Sequence, residues 1–217
     1  MRACCSGFCG SVSRHFDAAV AAGDLKHYQT NGPNPTTRQL RDAVLLAGAG
    51  QSLLDIGAGI GAASFELLKA GFATAVAVDA APSYVAVARR EAEARGLLHR
   101  MTVVEGDFVA TAETVAAADA VIMDRVVCCY PDYRLLLKQA LRHSRQLFGY
   151  SYPRDRWYVR LVVTLDNLRR AVARNPFRTA VHSVPAMEEV ITAQGFRRTH
   201  RSTSLAWVVD VYVRDTA

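Results

Sequence analysis

The chain has 217 residues and a formal net charge of +6, with 51% hydrophobic and 21% charged residues. This balance excludes a disordered chain, and the length predicts one domain over 1–217, because one well-buried core is expected at this size. No apolar run reaches the roughly 18–20 residues that a membrane span requires, and residues 1–10 lack the apolar stretch of a signal peptide. We therefore expect a cytoplasmic protein without a membrane span.

The first elements in chain order are weakly marked. Residues up to 35 are mixed and turn-rich, and the turn-forming segment 31–35 precedes the first clear helix. That helix is predicted from residue 36 or 37 to about Ala47, because Leu40, Val44 and Ala47 share one helical face.

From residue 52 onward, short apolar runs alternate with helical patterns. Continuous apolar strands separated by helices are typical of a parallel sheet covered on both faces. Glycines at 71 and 96 end two of the helices, and Pro82 suits a first helical turn. The predicted strands are 52–56, 73–79, 101–107, 118–124 and 145–153, and the predicted helices are 62–70, 82–95 and 133–144.

The remaining third of the chain has a different pattern. A helix is predicted over 156–173, where Trp157, Leu161, Leu165, Leu168 and Val172 recur every three or four residues. We expect this apolar stripe to pack on the sheet. A second helix over 185–195 precedes two closely joined strands, which must therefore be antiparallel.

A glycine loop follows the first predicted strand, in the sequence DIGAGIG from Asp55 to Gly61. Gly57 permits a tight turn, Gly59 lets the backbone approach a ligand, and Gly61 allows close packing of the next helix. The third glycine lies two residues after the second, which departs from the dinucleotide fingerprint. NAD binding is therefore disfavoured, although it would use the same downstream acid.

Further acids lie where the next strands end. Asp79 lies at the end of the second strand, 22 residues after Gly57, and Asp107 with Phe108 lies at the end of the third. Asp124 lies at the end of the fourth. Because ligands of open α/β sheets bind outside the carboxyl ends of the strands, these groups predict one binding site.

The loop matches the D/E-x-G-x-G-x-G motif, and the chain from about residue 50 onward resembles the class I S-adenosylmethionine-dependent methyltransferases. The resemblance implies an α/β, Rossmann-like, seven-stranded and mostly parallel sheet of order 3-2-1-4-5-7-6, with helices on both faces. It also implies S-adenosylmethionine as cofactor and S-adenosylhomocysteine as product, with Asp79 on the ribose hydroxyls and Asp107 near the adenine amine. The implied cofactor residues are Asp55, Gly57, Ala58, Gly59, Gly61, Asp79, Ala80, Asp107, Phe108, Asp124 and Tyr28.

Two segments outside the sheet are expected to shape the acceptor site. They are an N-terminal helical lid over 1–48, which carries His15, His27 and Tyr28, and a helical insertion over 154–183. The insertion loosely resembles that of the magnesium-protoporphyrin O-methyltransferase branch. The usual histidine of that branch is replaced by Cys129 or Tyr130, so its substrate is not carried over.

The acceptor class follows less directly. Segment 124–131 lacks the N/D-P-P-Y sequence of enzymes that methylate nucleobase amines, so a small-molecule acceptor is favoured over tRNA or rRNA, despite the positive charge. A non-catalytic S-adenosylmethionine-binding protein is a third reading. The catalytic residue is left open, and the candidates are His182, Tyr130 and Asp124. A monomer or homodimer is expected.

The five cysteines predict neither a disulfide framework nor a metal site. Their number is odd, and their spacing matches no zinc motif. Small buried side chains are the favoured interpretation, and thiol chemistry of the kind seen in arsenite methyltransferases is the alternative. The residues are Cys4, Cys5, Cys9, Cys128 and Cys129.

Overall fold

A computed structural model describes residues 7–48 and 50–215, so Cys4 and Cys5 lie outside the described residues. Seven strands form one sheet of order β3-β2-β1-β4-β5-β7-β6, which confirms the predicted order. The first five strands run parallel, and β7 runs antiparallel to both β5 and β6. The strands are β1 (Ser52–Ile56), β2 (Thr74–Asp79), β3 (Met101–Glu105), β4 (Ala118–Met123), β5 (Ser144–Pro153), β6 (Phe196–Thr203) and β7 (Trp207–Arg214).

Helices cover both faces of the sheet, as predicted. Leu53 and Leu54 are neighbours in β1, and they belong to separate core clusters because side chains alternate across a strand. The first cluster includes residues of α2 to α5, and the second includes residues of α7 and α9. The helices are α1 (Gly7–His15), α2 (Ala18–Asn31), α3 (Pro35–Leu46), α4 (Ala62–Lys69), α5 (Pro82–Ala94), α6 (Phe108–Thr111), α7 (Tyr133–His143), α8 (Trp157–Val172) and α9 (Val184–Thr192).

The N-terminal region is more regular than its turn-rich sequence suggested. Residues 7–31 are almost entirely helical. Helix α2 begins where the carboxylate of Asp17 accepts hydrogen bonds from two backbone N–H groups, and it ends at Gly32, whose φ is +74°. Its buried residues are only Ala21 and Tyr28, so its sequence lacks the apolar periodicity that would have predicted it.

Helix α8 corrects a second expectation. Its bounds agree with the prediction, but its apolar stripe does not pack on the sheet. Trp157, Leu161, Leu165, Leu168 and Val172 are each 50–80% exposed, and Val159 is the helix's buried residue. Sequence periodicity identified the apolar stripe, but it could not show whether another element covers it. Among the described residues, none does.

Two further findings concern membranes and cysteines. Within residues 7–48 and 50–215, no helix is both long enough and apolar enough to cross a bilayer. Cys9 is buried and disulfide-bonded, whereas Cys128 and Cys129 are free thiols. In the same residues, no group of three or more potential metal ligands occurs.

Candidate active site

The glycine loop turns tightly at the end of β1. Gly57 and Ala58 both donate their N–H groups to the carbonyl of Val78, at 2.8 and 3.1 Å, which ties the loop to β2. Gly57, Gly59 and Gly61 all have positive φ, between +57° and +86°. A side chain is strained in this conformation, so the loop requires its glycines.

The three glycines face different surroundings. A Cβ on Gly57 would lie 2.5 Å from Cγ2 of Val126, and one on Gly61 would lie 3.1 Å from Phe65 and Met101. A Cβ on Gly59 would meet no atom within 4 Å. Gly57 and Gly61 therefore serve packing, whereas Gly59 leaves the backbone accessible from the space beside it.

We expect Gly57→Ala to lower the free energy of unfolding by about 2–5 kcal/mol. The left-handed backbone contributes about 1–2 kcal/mol and the overlap with Val126 about 1–3 kcal/mol. Gly96→Ala is the control, because Gly96 has φ +66° and open space around its Cα. Urea denaturation of both variants checks the difference, and equal losses would contradict the role of Val126.

Asp79 organises the loop from the end of β2. Its two carboxylate oxygens accept the N–H groups of Gly59 and Ala81, each at 2.8 Å. Burial raises its pKa to about 6, although these two hydrogen bonds act in the opposite direction. Each oxygen keeps a second acceptor position, which is what the two hydroxyls of a ribose require.

Asp107 follows β3 and caps α6. One of its oxygens accepts the N–H of Val109 at 3.0 Å, and the Tyr130 hydroxyl lies 3.0 Å from both oxygens. Burial and the negative charge of Asp107 raise the pKa of Tyr130 above its usual range. Tyr130 is therefore poorly suited to act as a base near neutral pH.

Asp55 is fully buried at the end of β1. The hydroxyl of Ser64 donates to its Oδ2 at 2.8 Å, and no ion pair with Asp55 is found among the described residues. Burial, with a smaller contribution from the charges of Asp124 and Asp79, raises its pKa to about 7, although the hydrogen bond from Ser64 acts in the opposite direction. A cation beside Asp55 would favour the charged form.

Asp124 holds α3 against the sheet. Its oxygens accept the hydroxyls of Thr37 in α3 and Ser151 in β5, both at 2.5 Å. The next residue, Arg125, has φ +61°, and its Nε lies 4.0 Å from Asp124 Oδ1. Asp124 thus links the end of β4 to α3. The sequence predicted this helix but did not indicate which strand it contacts.

These groups border one cavity of about 490 Å³, a size typical of small-molecule sites. Gly61 and His182 are absent from its lining. His182 instead donates a ring N–H toward the carbonyl of Val127 at 3.1 Å and stacks on Tyr133. The predicted site residues that line the cavity are Tyr28, Asp55, Gly57, Ala58, Gly59, Asp79, Ala80, Asp107, Phe108, Asp124 and Tyr130.

A second wall of the cavity consists of residues from segments 1–48 and 154–183, the two segments that were expected to shape the acceptor site. His15 stacks on Phe177 with ring centroids 4.2 Å apart, and Phe16 meets the same ring edge-on at 5.1 Å. Arg170 lies over Phe177 and donates to Thr179 Oγ1 at 3.2 Å. The cavity lining therefore has a carboxylate-rich part at the glycine loop and a separate aromatic, cationic part.

One free thiol, Cys129, lies at this second wall, and the buried Cys128 lies behind it. The sulfur atoms of Cys128 and Cys129 are 3.4 Å apart, and Cys129 lines the cavity. The hydrogen bond with Cys128 lowers the pKa of Cys129, and Arg170 adds to this effect. Cys128 is buried, in agreement with the expectation of small buried side chains, whereas Cys129 is half-buried.

Comparisons with known proteins agree with this geometry. Residues 53–146 match the model of a methyltransferase domain, which spans the glycine loop, Asp55, Asp79 and Asp107. No curated protein matches the chain. The chain thus has the fold of the class I methyltransferases, as the sequence resemblance predicted, and its central part matches their domain.

Among solved structures, the chain is similar to magnesium protoporphyrin IX methyltransferase of Synechocystis PCC 6803 with bound S-adenosylhomocysteine. The TM-score is 0.72 at 18% identity, over 94% of this chain and 98% of that one. An O-methyltransferase family protein of Burkholderia thailandensis also scores 0.72, at 17% identity, over 91% of this chain and 59% of that one. A second structure of the Synechocystis enzyme holds S-adenosylmethionine, the cofactor that the sequence predicted.

A third neighbour limits what the fold alone implies. A 4+2 cyclase has a TM-score of 0.65 at 15% identity, over 95% of this chain and 96% of that one. The same architecture therefore supports more than one chemistry, and function must be argued from the site.

Proposed function

We propose that the protein binds S-adenosylmethionine and transfers its methyl group to a small-molecule acceptor. One observation carries this proposal: buried carboxylates at the ends of three neighbouring strands surround one cavity beside an open Gly59. A ligand with a ribose, an amine and a positive charge satisfies all of them, whereas a dinucleotide would bring phosphates against carboxylates. The three residues are Asp55, Asp79 and Asp107.

Each carboxylate has a proposed partner. Asp79 would accept the ribose hydroxyls, and Asp107, oriented by Tyr130, would accept the adenine amine. Asp55 would face the amino group, whose charge would help it to ionise. Tyr28 lines the cavity, but its hydroxyl donates to Glu66 at 3.0 Å, so it would contribute its ring.

When bound, S-adenosylmethionine supplies an electrophilic methyl group that a nucleophilic acceptor atom takes by in-line displacement. The chain's own contribution is to bind, to orient and to exclude water. His15, Phe16 and Phe177 would enclose an apolar acceptor, and Arg125 and Arg170 would favour an acceptor that carries an anionic group.

Release of S-adenosylhomocysteine in the presence of acceptors tests the function. We expect carboxylic acids and phenols to support turnover, and Phe177→Ala to raise their KM more than it lowers kcat, because it removes an aromatic contact to the acceptor. Leu98→Ala, at an exposed residue that does not line the cavity, is the control.

Nucleic acid is the alternative acceptor, favoured only by the net charge of +6. Methyl transfer to tRNA, with affinity that falls steeply with salt, would replace the small-molecule proposal. Tight cofactor binding without transfer to any acceptor would identify a binding protein instead.

A further inference from the structure

Helix α8 presents an exposed apolar face that the described residues leave uncovered. Six of its large apolar side chains are at least half exposed, and Leu205, 78% exposed, joins them because the hydroxyl of Tyr158 donates to the Leu205 carbonyl at 2.8 Å. Exposed apolar patches of this extent mark interaction sites. The apolar face consists of Trp157, Leu161, Val162, Leu165, Leu168, Val172 and Leu205.

The helix is held with this face outward. On its other side, Asn167 exchanges two hydrogen bonds with the backbone of Thr179, at 2.7 and 3.0 Å. Arg170 donates to the Thr179 hydroxyl and lines the cavity. A rotation that buried the apolar face would break these contacts, so the exposure is built into the packing of the helix.

Cations lie within α8 and directly beyond its two ends. Arg156, Arg169 and Arg174 are exposed, and none of them forms an ion pair within the described residues. The single acid of the helix, Asp166, is already paired with Arg170 at 3.1 Å. The helix therefore combines an exposed apolar face that includes a tryptophan with unpaired positive charge along its length and at its two ends.

We propose that this face docks onto an anionic lipid bilayer, with α8 lying in the plane of the interface. Helices of this kind bury their apolar side chains at the level of the headgroups, while arginines reach the lipid phosphates. A symmetric contact between two copies would instead bring the same unpaired arginines together, and like charges repel. This inference does not rest on the proposed enzymatic function.

Vesicle flotation tests the proposal. We expect the protein to float with phosphatidylcholine vesicles that contain phosphatidylserine, and binding to weaken with salt and without the anionic lipid. The double variant Leu165→Ser/Leu168→Ser should lose binding at least about tenfold, since two apolar contacts are removed. Leu98→Ser is matched to Leu165 in exposure, 55% each, but lies off α8, and should bind as the wild type does.

Two further measurements make the result decisive. The emission of Trp157, one of two tryptophans, should shift to the blue with anionic vesicles, and Trp157→Phe should abolish the shift. Thermal unfolding must show that all variants fold. Absence of flotation, or equal losses in Leu98→Ser, would overturn the proposal. A dimer that the double variant dissociates, without vesicle binding, would assign the face to a second copy.

Discussion

Asp79→Ala is expected to weaken the binding of S-adenosylmethionine and S-adenosylhomocysteine at least about 100-fold, measured by calorimetry. Two ribose hydroxyls would lose an ionised acceptor, and each such hydrogen bond contributes about 1.5–3 kcal/mol. The glycine loop would also lose its anchor, because Gly59 and Ala81 donate to the two oxygens that the substitution removes.

The control separates this effect from simple loss of a loop anchor. Asp119 also accepts two backbone N–H groups, those of Gln51 and Ser52, at 2.8 and 3.0 Å, but it lies at the opposite end of β1 and outside the cavity lining. Asp119→Ala should therefore bind the cofactor as the wild type does, even if it is less stable. If the wild type bound NAD and not S-adenosylmethionine, the proposed function would fall.

The parts of the molecule that the sequence predicted are those determined by patterns over a few neighbouring residues. Strands β1 to β5 contain short apolar runs that end near a glycine, a proline or an acid, and the parallel arrangement brings their carboxyl ends to one edge. Asp55, Asp79 and Asp107 could therefore be placed together from their positions after three successive strands. The predicted end of β3, residue 107, lies two residues beyond the observed end at Glu105. The difference arises because Asp107 caps α6 and therefore is not part of the strand.

The parts that sequence did not predict depend on contacts between distant segments. The segments that carry His15 and Phe177 were expected at the acceptor site, but the stacking of the two rings could not be predicted, because they lie far apart in the chain. The apolar periodicity of α8 identified an amphipathic helix, but whether a neighbour covers its apolar face depends on tertiary packing. Periodicity reports which side chains share a face and not what that face contacts.

Asp55→Asn is expected to stabilise the ligand-free protein near pH 8 while it weakens cofactor binding. Folding raises the pKa of Asp55 from 3.8 to about 7. Above about pH 7 the carboxylate is therefore ionised in a buried site that disfavours its charge, which lowers the stability of the folded protein. This difference of about 3 units corresponds to on the order of 2–4 kcal/mol. An amide keeps an oxygen that can accept the Ser64 hydroxyl, and it carries no charge to bury.

The pH dependence follows from the same shift. Because the folded state retains a proton that the unfolded state has lost, the contribution of Asp55 to stability is complete below about pH 4 and declines as pH rises toward 7. Cofactor affinity should change in the opposite sense and increase toward pH 7, since the ionised carboxylate is the better partner for a cation. Asp55→Asn should remove most of both dependences.

A second buried aspartate provides the contrast that makes this prediction specific. Asp210 in β7 is as buried as Asp55, but Arg201 donates to both of its oxygens at 2.7 Å, so its charge is compensated. Asp210→Asn should therefore destabilise the protein, by on the order of 3 kcal/mol, and leave cofactor affinity unchanged. Thermal and urea unfolding at pH 6 and 8 measure both variants. Destabilisation by both substitutions would show that Asp55 is ionised and compensated in the folded protein without ligand, contrary to the geometry of its site.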